Sequence, residues 1–211
     1  MKYILFDLDG TLTDPKEGIT KSVQYALKKF GIEEECDNLT KFIGPPLDIS
    51  FKEFYGFDSE ESKLALKYYR ERYSEIGLFE NKIISGIPEV LDQLKKSGKI
   101  LLVATSKPTI FSIKICDKFN LSQYFHKILG SELNGERSNK WEVINELIKE
   151  YNCSLDDAIM IGDRKHDIIG AKKCGISSIG VQFGYAEKGE LAEAGADYIV
   201  NRPEELLNII L

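Results

Sequence analysis

The stretch Tyr3-Ile4-Leu5-Phe6-Asp7-Leu8-Asp9-Gly10-Thr11-Leu12 decides the fold. Four apolar residues run without polar alternation and then stop at an acid. That is how a strand covered on both faces reads, because neither face needs water-compatible side chains. Working outward, Ile100–Ala104, Ala158–Ile161 and Ile179–Val181 read the same way, with weaker candidates at Lys127–Leu129 and Tyr198–Val200. Helical spacing separates most of them. Ile87, Val90, Leu91 and Leu94 fall at i, i+3, i+4, i+7 before Gly98, and Ile144, Leu147, Ile148 and Tyr151 repeat the pattern. Strands alternating with helices specify a parallel sheet with right-handed crossovers.

One segment breaks the alternation. Between the first strand and the helix at Ile87 the sequence reads as helix only. Ile19, Val23, Ala26, Leu27 and Phe30 share one face, ended by Gly31, and Ala65, Tyr69, Tyr73 and Ile76 share another. Turn formers cluster at Asp14-Pro15 and Ser85-Gly86. The expected architecture is therefore α/β: a Rossmann-like open parallel sheet core, residues 1–14 and 85–211, carrying an inserted all-helical cap, residues 15–84.

The bulk properties exclude several classes. Net charge is −6 and pI about 5.2, so the basic footprint of a nucleic-acid polymer binder is absent. The four cysteines form no CxxC pair, which fits reduced thiols in a cytoplasmic protein better than a disulfide framework or zinc site. The N-terminus lacks the length and flanks of a signal peptide. No apolar run approaches the roughly 18 residues of a membrane span.

Chemistry gathers where strands stop, as it does in open α/β sheets. The first strand ends in Asp7-Leu8-Asp9-Gly10-Thr11, the run Ile100–Ala104 in Thr105-Ser106-Lys107, and the run Ala158–Ile161 in Gly162-Asp163 with Asp167 following; Lys140 opens the helix before that last strand. Asp7, Asp9 and Asp163 brought together would repel one another and any phosphate. Mg²⁺ resolves that repulsion, since it prefers carboxylate, water and phosphate oxygens. Lys140 would neutralise phosphate charge, and the Thr105 hydroxyl would donate to a phosphate oxygen. Gly10 permits the sharp turn that faces backbone N–H groups to a phosphate.

These residues resemble the four motifs of the haloacid-dehalogenase-like hydrolases, and the resemblance spans the whole chain. It runs nearest to the branch of phosphoglycolate phosphatases, β-phosphoglucomutases and 5′-nucleotidase-like members. The resemblance implies that Asp7 is the nucleophile, forming an aspartyl-phosphate, and that Asp9 protonates the leaving alcohol and then activates water. It implies that Thr105 and Lys140 hold phosphate, that Asp163, Asp7 and the Asp9 backbone carbonyl ligate Mg²⁺, and that Asp167 supports the metal from outside. A carboxylate two places after the nucleophile separates phosphate-ester chemistry from the dehalogenases, phosphonatases and transport ATPases. The expected activity is hydrolysis of a small soluble phosphomonoester: phosphoglycolate, a 5′-nucleotide or a sugar phosphate.

Several residues carry two readings. Lys107 also follows a strand end and competes with Lys140; Ser106 competes with Thr105. Asp163 could instead cap the helix after it, and Asp167 could be an ordinary helix-surface acid. His166 reads as a surface histidine or a metal ligand. Gly44-Pro45-Pro46 is a rigid turn between cap helices, a substrate-shaping loop, or both. At the level of function, a phosphomutase shares every core motif. A non-catalytic receiver-like module shares the acidic strand end, but is shorter and has no large helical insertion.

Overall fold

The computed structural model describes all 211 residues, Met1–Leu211. The chain divides into two compact units, Met1–Asp14 with Ile83–Leu211, and Pro15–Lys82.

The first unit is built on a six-stranded parallel sheet. Its strands are β1 (Tyr3–Phe6), β4 (Ile100–Pro108), β5 (Lys127–Ser131), β6 (Ala158–Gly162), β7 (Ser177–Val181) and β8 (Tyr198–Val200), in the spatial order β5-β4-β1-β6-β7-β8. Tyr3 lies opposite Ile100 on one side and Ala158 on the other. Every residue of β1 is buried, which explains a strand without polar alternation. Side chains alternate across the sheet. Tyr3 and Leu5 join Leu102, Ala104 and Met160 in one apolar cluster, covered by Val143, Ile144 and Leu147 of α6 (Lys140–Glu150) and Ala171 of α7 (Lys165–Cys174). The remaining core helices are α4 (Ile87–Lys96), α5 (Thr109–Lys118), α8 (Glu190–Glu193) and α9 (Glu205–Ile210). The chain runs outward from β1 through β4 to β5, then returns to β6 on the other side of β1. The carboxyl ends of β4, β1 and β6 therefore flank the topological switch point, where such sheets open a crevice.

Two expectations about strands change. β4 does not stop at Ala104 but continues to Pro108, with its register to β5 shifting between Ala104 and Pro108. Thr105, Ser106 and Lys107 consequently sit in a bulged strand rather than a loop, and a bulge re-aims the side chains it carries. Two short strands, β2 (Thr13–Asp14) and β3 (Lys82–Ile83), also interrupt the stretch expected to be wholly helical. Ile84 N donates to Leu12 O at 3.1 Å, which joins the points where the core chain exits and re-enters.

The second unit holds α1 (Lys16–Lys28), α2 (Leu47–Tyr55) and α3 (Ser59–Tyr73), with 3₁₀ turns at Cys36–Phe42 and Gly77–Phe79. Ile19, Val23, Ala26 and Leu27 form the buried face of α1. α3 starts at a capping box, Asp58 accepting from Glu61 N while Glu61 accepts from Asp58 N. It ends at Tyr73, so Ile76 is not on its buried face but 54% exposed. Tyr69 and Tyr73 stack with centroids 4.9 Å apart and are packing residues. Phe42, Phe51, Phe54, Tyr55 and Phe57 form an aromatic cluster. Gly44, Pro45 and Pro46 make the turn between the first 3₁₀ segment and α2. No helix is long and apolar enough to cross a membrane, and all four cysteines are free.

Candidate active site

Asp7 follows β1, Asp163 follows β6, and Asp167 lies in the first turn of α7. Their carboxylate oxygens come within 4.8 Å of one another, and all three residues are buried. Lys140, at the start of α6, is buried among them. Its ammonium lies 2.8 Å from Asp7 Oδ1 and 2.7 Å from Asp167 Oδ1, and donates to Ala104 O at 3.1 Å. With all three ionised, the carboxylates against one ammonium would give the cluster excess negative charge.

The loop after β1 is wound tightly. Gly10 N donates to Thr13 O at 2.7 Å, and Leu12 and Thr13 both donate to Leu8 O. Gly10 has φ +80°, and any Cβ there would lie 2.1 Å from Asp163 Oδ2. Glycine is thus required for both conformation and space. The same loop supplies Thr11, whose hydroxyl donates to Asp163 Oδ1 at 3.3 Å.

Asp9 stands apart from the three-acid cluster. Its Oδ2 lies 2.7 Å from the ammonium of Lys107, both side chains nearly buried, while its Oδ1 is buried without a hydrogen-bond partner. The two lysines take different partners: Lys140 lies against Asp7 and Asp167, and Lys107 against Asp9. Thr105 is buried on β4, and its Oγ1 accepts from Lys107 N at 3.2 Å.

Burial acts on Asp163, Asp9 and Asp167. It is the leading cause that holds Asp163 well above the usual carboxylate range, with the charges of Asp167 and Asp7 adding to it. Burial also raises Asp9, against the opposing pull of Lys107, and pushes Asp167 up to about 6. Burial opposes the charge on Lys140, but Asp167 and Asp7 outweigh it, and its ammonium is held above the ordinary lysine range.

Two of the alternative readings fall. Asp163 does not cap the helix after it. Arg164 occupies that position, and Asp167 Oδ2 accepts from Arg164 N at 3.1 Å, so Asp167 makes the reciprocal capping contact. Asp167 is correspondingly no surface acid: it is 1% exposed. His166 is half-buried, and burial followed by Arg164 lowers its pKa. Sequence reading gave Thr11 no role of its own and missed Arg164, Gly184, Tyr185 and Glu190. Gly184 and Tyr185 border the cluster from the loop after β7, where no strand end carries an acid to signal a site. Tyr185 N donates to Asp163 Oδ2 at 2.7 Å.

Residues 4–181 match the haloacid dehalogenase-like hydrolase family. The chain belongs to that family. Within this family, it is 48% identical over 189 residues to a 5′-nucleotidase of Pseudomonas aeruginosa, covering 89% of this chain and 86% of that one. It is 30% identical over 211 residues to a phosphoglycolate phosphatase of Aquifex aeolicus, covering 100% and 97%. Among solved structures, that of a predicted phosphatase from Clostridium acetobutylicum superposes with a TM-score of 0.97 at 52% identity, covering 99% of this chain and 97% of that one. These matches place this hydrolase among the family's phosphatases and set aside the receiver-like reading.

The donor set suits Mg²⁺. All side-chain donors in the cluster are oxygens, and the excess negative charge of its ionised form calls for a hard cation. A consequence for stability follows in metal-free protein. The raised carboxyls bind protons more tightly in the folded state than in the unfolded chain. That stabilisation is complete below the unfolded carboxylate pKa and is lost as pH rises through the folded values, about 6 for Asp167. In chelator, Tm is expected to be higher at about pH 5 than at about pH 8, and Mg²⁺ is expected to raise Tm more at the higher pH. Differential scanning fluorimetry checks both signs. A Tm rising steadily with pH in chelator contradicts the assignment.

Proposed function

We propose that this hydrolase is a Mg²⁺-dependent phosphomonoesterase acting on a small soluble phosphate ester through an aspartyl-phosphate on Asp7. The observation that carries the reading is the convergence of Asp7, Asp163 and Asp167 around Lys140, with Asp9 held separately on Lys107.

Asp163 and Asp7, with the Asp9 backbone carbonyl, would hold the ion, and Asp167 would support them through Lys140 and the turn at Arg164. Bound Mg²⁺ supplies charge neutralisation for the phosphoryl oxygens. Lys140 and the Thr105 hydroxyl bind the remaining phosphate oxygens, aided by the backbone around Gly10. The Asp7 carboxylate attacks phosphorus, and the bond to the ester oxygen breaks. The departing oxygen takes the proton of the Asp9 carboxyl. Asp9, now a carboxylate, accepts a proton from water as that water attacks phosphorus. The bond between phosphorus and the Asp7 oxygen breaks, and phosphate and free Asp7 result. A buried Asp9 with a raised pKa suits an acid that must hold a proton before it donates one.

The 48% identity to a 5′-nucleotidase favours a nucleoside 5′-monophosphate over phosphoglycolate or a sugar phosphate. We assign Gly44, Pro45 and Pro46 to substrate selection, on the strength of the rigid turn they make. Free cysteines suit the reducing cytoplasm. The test is phosphate release from nucleoside 5′-monophosphates, phosphoglycolate and glucose 1-phosphate, with and without Mg²⁺. Release is expected to require Mg²⁺, to need no sugar acceptor, and to be fastest with a 5′-nucleotide. Chelation should abolish it, and Ca²⁺ should inhibit, because its looser coordination misplaces the reacting groups. Undiminished release after exhaustive chelation contradicts the metal role; release only in the presence of a sugar acceptor points to a phosphomutase. Changing Pro45 and Pro46 to Ala is expected to redistribute kcat/KM among the natural substrates, while a uniform fall would make the turn structural only.

A further inference from the structure

The loop between β7 and α8 is fastened to the segment bearing Asp163 at both of its ends, although it carries none of the three clustered acids. At the near end, Tyr185 N donates to Asp163 Oδ2 at 2.7 Å, and the Tyr185 hydroxyl is hydrogen-bonded to Asp14 Oδ1. At the far end, Glu190 Oε1 accepts from Arg164 Nε at 2.9 Å and from Lys165 N at 2.8 Å, while its Oε2 accepts from Glu187 N at 3.0 Å. The Arg164 and Glu190 side chains are only 10% and 9% exposed, so this pair is partly desolvated and geometrically fixed.

Gly184 is what lets the loop come this close. A Cβ at that position would lie 2.4 Å from Asp163 Cβ and 2.4 Å from Gly10 O. Asp163 is thereby enclosed on two sides: the Gly10–Thr11 turn contributes the Thr11 hydroxyl to Oδ1, and the Gly184–Tyr185 turn contributes a backbone N–H to Oδ2. Both oxygens have a donor, so the plane of the carboxylate is set by the protein. Groups that orient a ligating carboxylate affect metal affinity without touching the ion.

We propose that Tyr185 is a positioning residue for the metal site: it ties Asp163 to Asp14, so the carboxylate is aimed before the ion arrives. The backbone N–H makes the contact, and the hydroxyl anchored on Asp14 keeps that N–H in place. Glu190, through Arg164, holds the other end of the loop against the same segment. This inference rests on the metal reading above, and goes beyond it by making ion affinity depend on residues 14 and 185, neither of which is an assigned ligand.

The experiment is Mn²⁺ binding followed by electron paramagnetic resonance, as a probe of the Mg²⁺ site, on wild type, Tyr185→Phe, Asp14→Ala and the double variant. Circular dichroism melts in chelator accompany each. Tyr185→Phe is expected to weaken Mn²⁺ binding about tenfold, the lower end of the range for removing an orienting partner. Asp14→Ala should weaken binding as well, and the double variant should lose less than the sum of the two single losses, because the two changes share one bond. KM for substrate at saturating Mg²⁺ should stay put. Wild-type affinity in Tyr185→Phe overturns the proposal, as does strictly additive loss in the double variant. Should either variant fail to fold, Gly184→Ser provides a second route: it pushes the loop off Asp163 and should weaken Mn²⁺ binding further, and unchanged affinity there overturns the proposal as well. If wild type itself binds no Mn²⁺, the metal reading fails, and this inference falls with it; if wild type binds and the variants match it, only this inference falls.

Discussion

Asp7→Asn is expected to abolish turnover while leaving the fold standing. An amide is a far poorer nucleophile than a carboxylate, and no other acid in the site is placed to take over. Asp9 is held on Lys107, and Asp163 has both oxygens engaged by the turns around it. Replacing an essential nucleophile removes several orders of magnitude, on the order of 10⁴ to 10⁶ in kcat by analogy with other covalent hydrolases. The substitution is nearly isosteric, and Leu8 N, which donates to Asp7 Oδ1 at 2.7 Å, can still donate to the amide oxygen. Steady-state phosphate release and a melting curve on the same sample separate loss of chemistry from loss of fold. Turnover near wild type in a folded, Mg²⁺-saturated variant removes the covalent mechanism.

Lys140→Met is expected to damage both chemistry and stability. Its ammonium is the one positive charge within reach of both Asp7 and Asp167, and all three side chains are buried. Removing one partner of a buried ionic group typically costs about 3–5 kcal/mol, because the remaining charges are left uncompensated. Some of that loss is recoverable: the acids can take up protons, or a divalent cation can neutralise them. The metal-free variant should therefore melt well below wild type at neutral pH, and part of the deficit should vanish at about pH 5 or in Mg²⁺. Phosphate release should fall sharply even where the fold is restored, since the phosphate then lacks its lysine. A melting temperature equal to wild type in chelator at neutral pH contradicts the electrostatic account of this cluster.

The sheet was legible because its strands are buried on both faces. Tyr3–Phe6 and Ala158–Ile161 have nothing but apolar residues to show, and the acids that follow them mark where burial ends. The acids at those strand ends could be read for the same reason, whereas Lys140, which opens α6, was chosen over Lys107 only through the family resemblance. The bulge in β4 was not. Thr105-Ser106-Lys107-Pro108 carries polar residues and a proline, which read as a loop, whereas the structure continues the strand through a register shift. Ile76 continued the helical spacing of Tyr69 and Tyr73, but α3 had already ended at Tyr73, and spacing alone does not reveal a terminus. The partner of Lys107 was hidden for a different reason: an ion pair between residues 9 and 107 is a property of the sheet order, not of either local sequence. Tyr185 and Gly184 were hidden likewise, since what matters in Tyr185 is mainly a backbone N–H and in Gly184 the lack of a side chain.

The covalent step is the centre of the account, and pre-steady-state kinetics on Asp9→Asn tests it most directly. A p-nitrophenolate leaving group needs little help from an acid, so Asp7 should still be phosphorylated in that variant, whereas hydrolysis of the phospho-enzyme, which needs a base, should stall. The account predicts a burst of p-nitrophenolate stoichiometric with enzyme, then a slow steady state. It also predicts a hydroxylamine-labile phosphoryl group on the peptide containing Asp7 in acid-quenched samples. Release of p-nitrophenolate with no burst, and no phosphoryl group on that peptide during turnover, would contradict it.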